Sequence, residues 1–139
     1  MPYSRWIVAS SLVDEYGIAL PPVIEAAYFQ ADNSAHSGLH GITLFANGHV
    51  MQLIEGDTEA LHHAMRNLRN QSKLFGMVPV LREKTPALQA RGVAVGVSRF
   101  ADEIAGQLPG EVQVFPLNAE EVCKRTAPGK VRDMLLDFI

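Results

Sequence analysis

Gly41-Ile-Thr-Leu-Phe-Ala-Asn-Gly-His-Val-Met-Gln-Leu-Ile-Glu-Gly56 is the stretch that decides how this chain folds. Two short apolar runs flank Asn47-Gly48. Asn-Gly in that setting is the strongest short-range hairpin signal, because a two-residue type I′ turn needs positive φ at both central positions. In the returning strand side chains alternate faces, so Val50, Gln52 and Ile54 share one side and Met51 and Leu53 the other. Gln52 therefore falls on an apolar face. A buried amide costs free energy unless it finds partners, so Gln52 is expected either to bond nearby backbone or to belong to a ligand site.

Working outward, Tyr3 to Ser10 alternates as a strand, with Trp6 and Val8 on one face and Ile7 and Ala9 on the other. Leu20-Pro21-Pro22 opens a helix, since proline is tolerated in a first turn whose donors are unpaired anyway. Val23, Ile24, Ala27, Tyr28 and Ala31 follow at helical spacing until Asp32-Asn33-Ser34. Beyond the hairpin, Gly56-Asp57-Thr58 offers an N-cap for a second helix whose Leu61, Ala64, Met65 and Leu68 are spaced to cover a sheet. Met77–Leu81 and Val93–Val97 read as strands separated by a polar loop over 82–91. The order strand, helix, strand, strand, helix, strand, plus one strand, predicts an α+β fold: a ferredoxin-like split βαβ sheet with two helices on one face.

The remaining residues predict a short helix over 99–108, a short strand over 112–117, a helix started by the capping-box pattern Asn118-Ala-Glu-Glu121, and a last amphipathic helix carrying Val131, Met134, Leu135 and Phe138. The expected organisation is one sheet domain over 1–100, with a C-terminal helical extension over 101–139 packed on it. That extension covers the sheet's open face or forms an oligomer interface.

At 139 residues and a net charge of −3, the chain has room for a real core and no basic stripe for a phosphate backbone, so nucleic acid is not an expected partner. No run approaches a signal-peptide core or a membrane span, and the expected location is cytoplasmic. The single cysteine, Cys123, excludes an intramolecular disulfide and reads as a small buried side chain. Adjacent His62 and His63 point about 100° apart on a helix, and no cysteine or carboxylate cluster completes a set with His36, His40 and His49, so no metal site is expected. No glycine-rich phosphate loop, Ser-His-Asp order or carboxylate pair supports catalysis.

Several of these residues together resemble the BLUF family of flavin-binding blue-light sensors: Ser11-Leu12, Asn33, Gly41, the Gly48 turn, and Gln52 followed by Leu53-Ile-Glu-Gly56. The resemblance covers roughly the first 100 residues, about a domain's length. It implies a flavin, FAD, inserted between the two helices. Gln52 then matches the glutamine that rearranges on illumination, Asn33 the asparagine at the flavin's polar edge, and Lys73 a possible phosphate contact. The family's tyrosine falls at Ala9, which has neither ring nor hydroxyl. Asp32 stands where histidine or asparagine is usual, Gln71, Lys73 and Leu74 where Asp, Arg and His are usual, and Val93 and Val95 where tryptophan and methionine are expected.

The resemblance thus implies a sensory or regulatory module, not an enzyme, that signals through a partner protein or other copies of the chain without the tyrosine-based photocycle. Tyr28 on the first helix and Trp6 on the first strand are the remaining candidate electron donors. The alternative is a flavin-free interaction domain, in which Tyr28, Phe29 and Met65 fill the space between the helices and Gln52 bonds protein atoms. The exposed side of Lys130–Ile139 is the first candidate partner surface.

Overall fold

The computed structural model describes residues 2–29, 38–116 and 118–139. Its elements are β1 (Tyr3–Leu12), α1 (Leu20–Tyr28), β2 (His40–Ala46), β3 (His49–Gly56), α2 (Thr58–Arg69), β4 (Leu74–Thr85), β5 (Val93–Val97), α3 (Ala101–Gly106), β6 (Val112–Pro116), α4 (Ala119–Cys123) and α5 (Lys130–Phe138). The strands form one mixed sheet in the order β4-β1-β3-β2-β5-β6. The first four are antiparallel to their neighbours, and β5 and β6 add on in parallel.

The β2–β3 hairpin turns at Asn47 and Gly48, whose φ values of 50° and 86° are those the type I′ turn demands. Gly41 is required for a different reason. A Cβ built on it would lie 1.9 Å from the Leu53 carbonyl oxygen and 2.8 Å from the Tyr28 hydroxyl, so only glycine lets α1 approach the hairpin this closely.

Each face of the sheet has its own core. Trp6, Val8, Val50, Ile54, Val93 and Val95 join Ile24, Tyr28, Leu61 and Met65 of α1 and α2 on one side. Ile7, Ile42, Leu44, Met51 and Leu53 join Val122 and Cys123 of α4 and Val131 and Leu135 of α5 on the other. The tail therefore covers the face that α1 and α2 leave open, and Val131 and Leu135 are buried parts of the core. Asn118 caps α4, accepting from the Glu121 amide at 3.2 Å.

β4 runs longer than the expected 77–81, reaching Thr85 where the sequence suggested a loop. The polar residues there are held by partners. Arg82 lies 3.9 Å over the Trp6 ring, Lys84 donates to the Thr58 hydroxyl at 2.8 Å, and Glu83 accepts from Arg5 at 2.7 Å and Lys130 at 2.8 Å. Pro79 is accommodated because β4 is an edge strand and the register shifts beside it.

A buried ionic network joins three strands to α5. Arg5 donates to Glu55 at 2.6 Å through Nε, and both side chains are almost wholly buried. Glu55 also accepts from the Gln89 amide at 2.8 Å and the Ala90 amide at 2.7 Å. A buried charge is tolerated only when paired and hydrogen-bonded, and here both conditions hold. Lys130 and Arg5 hold the Glu83 carboxyl below the usual carboxylate range.

Candidate functional site

Hairpin register determines what Gln52 meets. Pairing Ala46 with His49 across the two-residue turn sets Thr43 opposite Gln52, and on the other side Val8 of β1 lies opposite it. Gln52 is 1% exposed. Its Nε2 donates to Thr43 Oγ1 at 3.1 Å. Thr43 donates in turn to the Tyr28 hydroxyl at 3.3 Å, which donates to the Leu53 carbonyl at 2.8 Å. The result is a buried relay from β3 through β2 to α1 and back to β3.

Burial pushes the Tyr28 hydroxyl far above its usual pKa; the Thr43 hydrogen bond partly opposes this and the nearby Glu55 carboxylate adds to it. Tyr28 is therefore a neutral donor locked between Thr43 and the backbone. An amide in such a low-dielectric setting must be partnered, and the relay partners its Nε2 through Thr43.

The site residues expected from sequence fare differently. Gln52 is on the helix-facing side of the sheet, as alternation required. Lys73 sits in the exposed turn before β4, its carbonyl accepting from the Val13 amide at 2.9 Å. Leu74 lies opposite Leu12, four residues along β1 from Val8, so Lys73, one residue further, is displaced from Gln52 by about 16 Å along the strand direction. The structure does not bring these two together. Asn33, with Asp32, lies outside the described residues.

Ala9 does not face Gln52. It pairs with Met51 on the face covered by α4 and α5, and the residue facing Gln52 from β1 is Val8. Strand alternation sends neighbouring side chains to opposite faces, so Ala9 and Val8 lie on opposite sides of the sheet. Val8 also lacks a redox-active ring or hydroxyl. Val93 and Val95, opposite Gly41 and Thr43 on β5, close the apolar side of the relay.

Thr43 was not singled out in the sequence, although the signal was present: a two-residue turn at Asn47-Gly48 already pairs positions 43 and 52. Tyr28, Phe29 and Met65 are 0%, 3% and 2% exposed, in one core cluster. A flavin ring placed against Gln52 would meet this cluster, and Gln52 already bonds Thr43. Three histidines have local roles: His40 accepts from the Gly92 amide at 2.9 Å, His49 bonds Ser11 at 3.4 Å, and His62 meets the Trp6 ring edge-on.

No protein-family model and no curated protein matches this sequence. Solved structures do. Klebsiella pneumoniae BlrP1, determined with FMN and cyclic diGMP, superposes with a TM-score of 0.67 at 18% identity over 98% of this chain and 34% of that one. The BlrP1 BLUF domain alone gives 0.63 at 16% identity, covering 99% of this chain and 87% of its own length. BlrB, a BLUF protein in its dark state, gives 0.55 at 15% identity over 83% of this chain and 73% of its own. The chain spans about a third of the full BlrP1 chain. The chain thus has the BLUF fold, α+β with a ferredoxin-like sheet.

Proposed function

We propose that this protein is a BLUF-like regulatory module that acts through protein contacts, with Gln52 held in the protein's own hydrogen-bond relay and not in a tyrosine-based photocycle. One observation carries the reading: the glutamine expected to face a flavin is 1% exposed and donates to Thr43, with Val8 opposite it. In a light sensor of this family the glutamine must be able to rearrange against the cofactor. Here its amide is tied through Thr43 and Tyr28 to a backbone carbonyl. The contact surface in this reading is the outer side of α5, where Leu136 and Ile139 are exposed while Val131 and Leu135 anchor the helix to the core. The partner is another protein or a second copy of the chain.

A second reading, a module that retains a flavin such as FAD, is favoured by two observations: Gln52 stands on the face of the sheet that α1 and α2 cover, and a structural neighbour was solved with FMN. In that case Gln52 would meet the ring, and Lys73, exposed beyond the end of α2, would be a phosphate contact. Incubation with FAD or FMN, followed by desalting and an absorbance spectrum before and after blue light, separates the two. The first reading expects no retained flavin band. A retained band with a light-induced shift supports the second and overturns the first.

A further inference from the structure

We propose that the groove between α2 and the β1–β4 edge is a binding site for a phosphate monoester. Its volume is about 410 Å³, and it is lined by Ser4, Trp6, Thr58, His62, Arg82, Glu83 and Lys84. That volume is within the range of small-ligand pockets and leaves room for an organic body beyond the phosphate.

Strand register builds one wall. Lys84 stands opposite Ser4 and Arg82 opposite Trp6, so two cations project side by side on the α2 side of the sheet. Thr58 and His62, four residues apart on α2, form the other wall. The Arg82 guanidinium lies 3.9 Å over the Trp6 ring. This cation–π contact holds the guanidinium at the ring, and its planar fork of donors suits a bidentate oxyanion. Among the described residues Arg82 donates no hydrogen bond, and neither it nor Lys84 makes an ion pair. Lys84 uses one donor on Thr58 Oγ1, which lies 2.6 Å from Ser4 Oγ. Glu83, the acidic residue between the two cations, is occupied by Arg5 and Lys130. The groove thus offers two cations without an ion-pair partner among the described residues and two hydroxyls in one lining. This site does not involve Gln52 and holds whether or not a flavin is bound.

Trp6 is the only tryptophan and reports directly on the groove. Its fluorescence is followed in the full chain during titration with inorganic phosphate, O-phosphoserine and a nucleoside 5′-monophosphate, each against sodium chloride at equal ionic strength. The expected result is a saturable change with a phosphate ester that chloride does not give, weakened about tenfold or more by Arg82→Gln and by Lys84→Gln. Tighter binding of phosphoserine identifies a modified side chain as the source of the group, and tighter binding of the nucleotide a small molecule. No saturable change, an equal response to chloride, or unaltered binding in both variants overturns the proposal. Circular dichroism verifies that these surface variants remain folded.

Discussion

Replacing Arg5 with methionine tests the ionic network that ties the sheet to its C-terminal cover. Arg5 donates to Glu55 at 2.6 Å, to Glu83 at 2.7 Å, and to the Thr85 hydroxyl and the Ala87 carbonyl at 3.3 Å each. Methionine fills similar space but removes every donor, leaving the fully buried Glu55 carboxylate without a counter-charge. Removing one partner of a buried pair costs about 3–5 kcal/mol. A chain of 139 residues unfolds with an entropy of about 0.3 kcal/mol/K near 60 °C, so Tm should fall by about 10–17 °C. The double variant Arg5→Met, Glu55→Gln removes the orphaned charge while the new amide oxygen still accepts from the Ala90 N–H. It should therefore recover more than half of the loss. Thermal unfolding followed by circular dichroism measures both. A drop below about 3 °C in the single variant would show that the pair behaves as a solvated surface bridge. A double variant no better than the single would show that packing, not charge, sets the cost.

Gly41→Ala places a methyl group 1.9 Å from the Leu53 oxygen and against the Tyr28 ring, and should destabilise by about 3 kcal/mol or more, read as a lowered urea midpoint. Tyr28, whose pKa burial raises, should stay protonated in the native state; stability should decline as pH climbs above the unfolded tyrosine value of about 10, and loss of that decline in Tyr28→Phe is the check. Glu83, whose pKa Lys130 and Arg5 depress, contributes stability that is present at neutral pH and lost as pH falls through its native value. Lys130→Gln should accordingly flatten the acid side of the Tm–pH profile, with a loss at neutral pH under about 1 kcal/mol because Lys130 is largely exposed.

Local patterning made much of the fold legible. Asn47-Gly48 specified the hairpin and, through its register, the Thr43–Gln52 pair. The 3.6-residue spacing of Leu61, Ala64, Met65 and Leu68 specified the buried face of α2, and Val93–Val97 appeared with the bounds read from its apolar run. What stayed hidden depended on distant partners. The strand character of 82–85 depends on Trp6, Arg5 and Thr58, between 26 and 78 residues away in sequence. Nothing local to Glu55 marks it as the acceptor of Arg5 and two loop amides. At the candidate site the identity and face of Gln52 were readable, but its partners were not, because Tyr28 arrives from a separate helix over Gly41. Val8 shows the same limit: pairing, not spacing along one strand, decides which residue faces the glutamine.

The measurement that tests the central claim most directly is the absorbance spectrum of the purified protein after incubation with excess FAD or FMN and desalting, for the natural chain and for Thr43→Val. With the Gln52 amide enclosed and bonded to Thr43, the account expects a colourless natural protein with no light response. A stoichiometric flavin band in the natural chain, shifted by blue light, would contradict it and show that Gln52 is free to serve a cofactor.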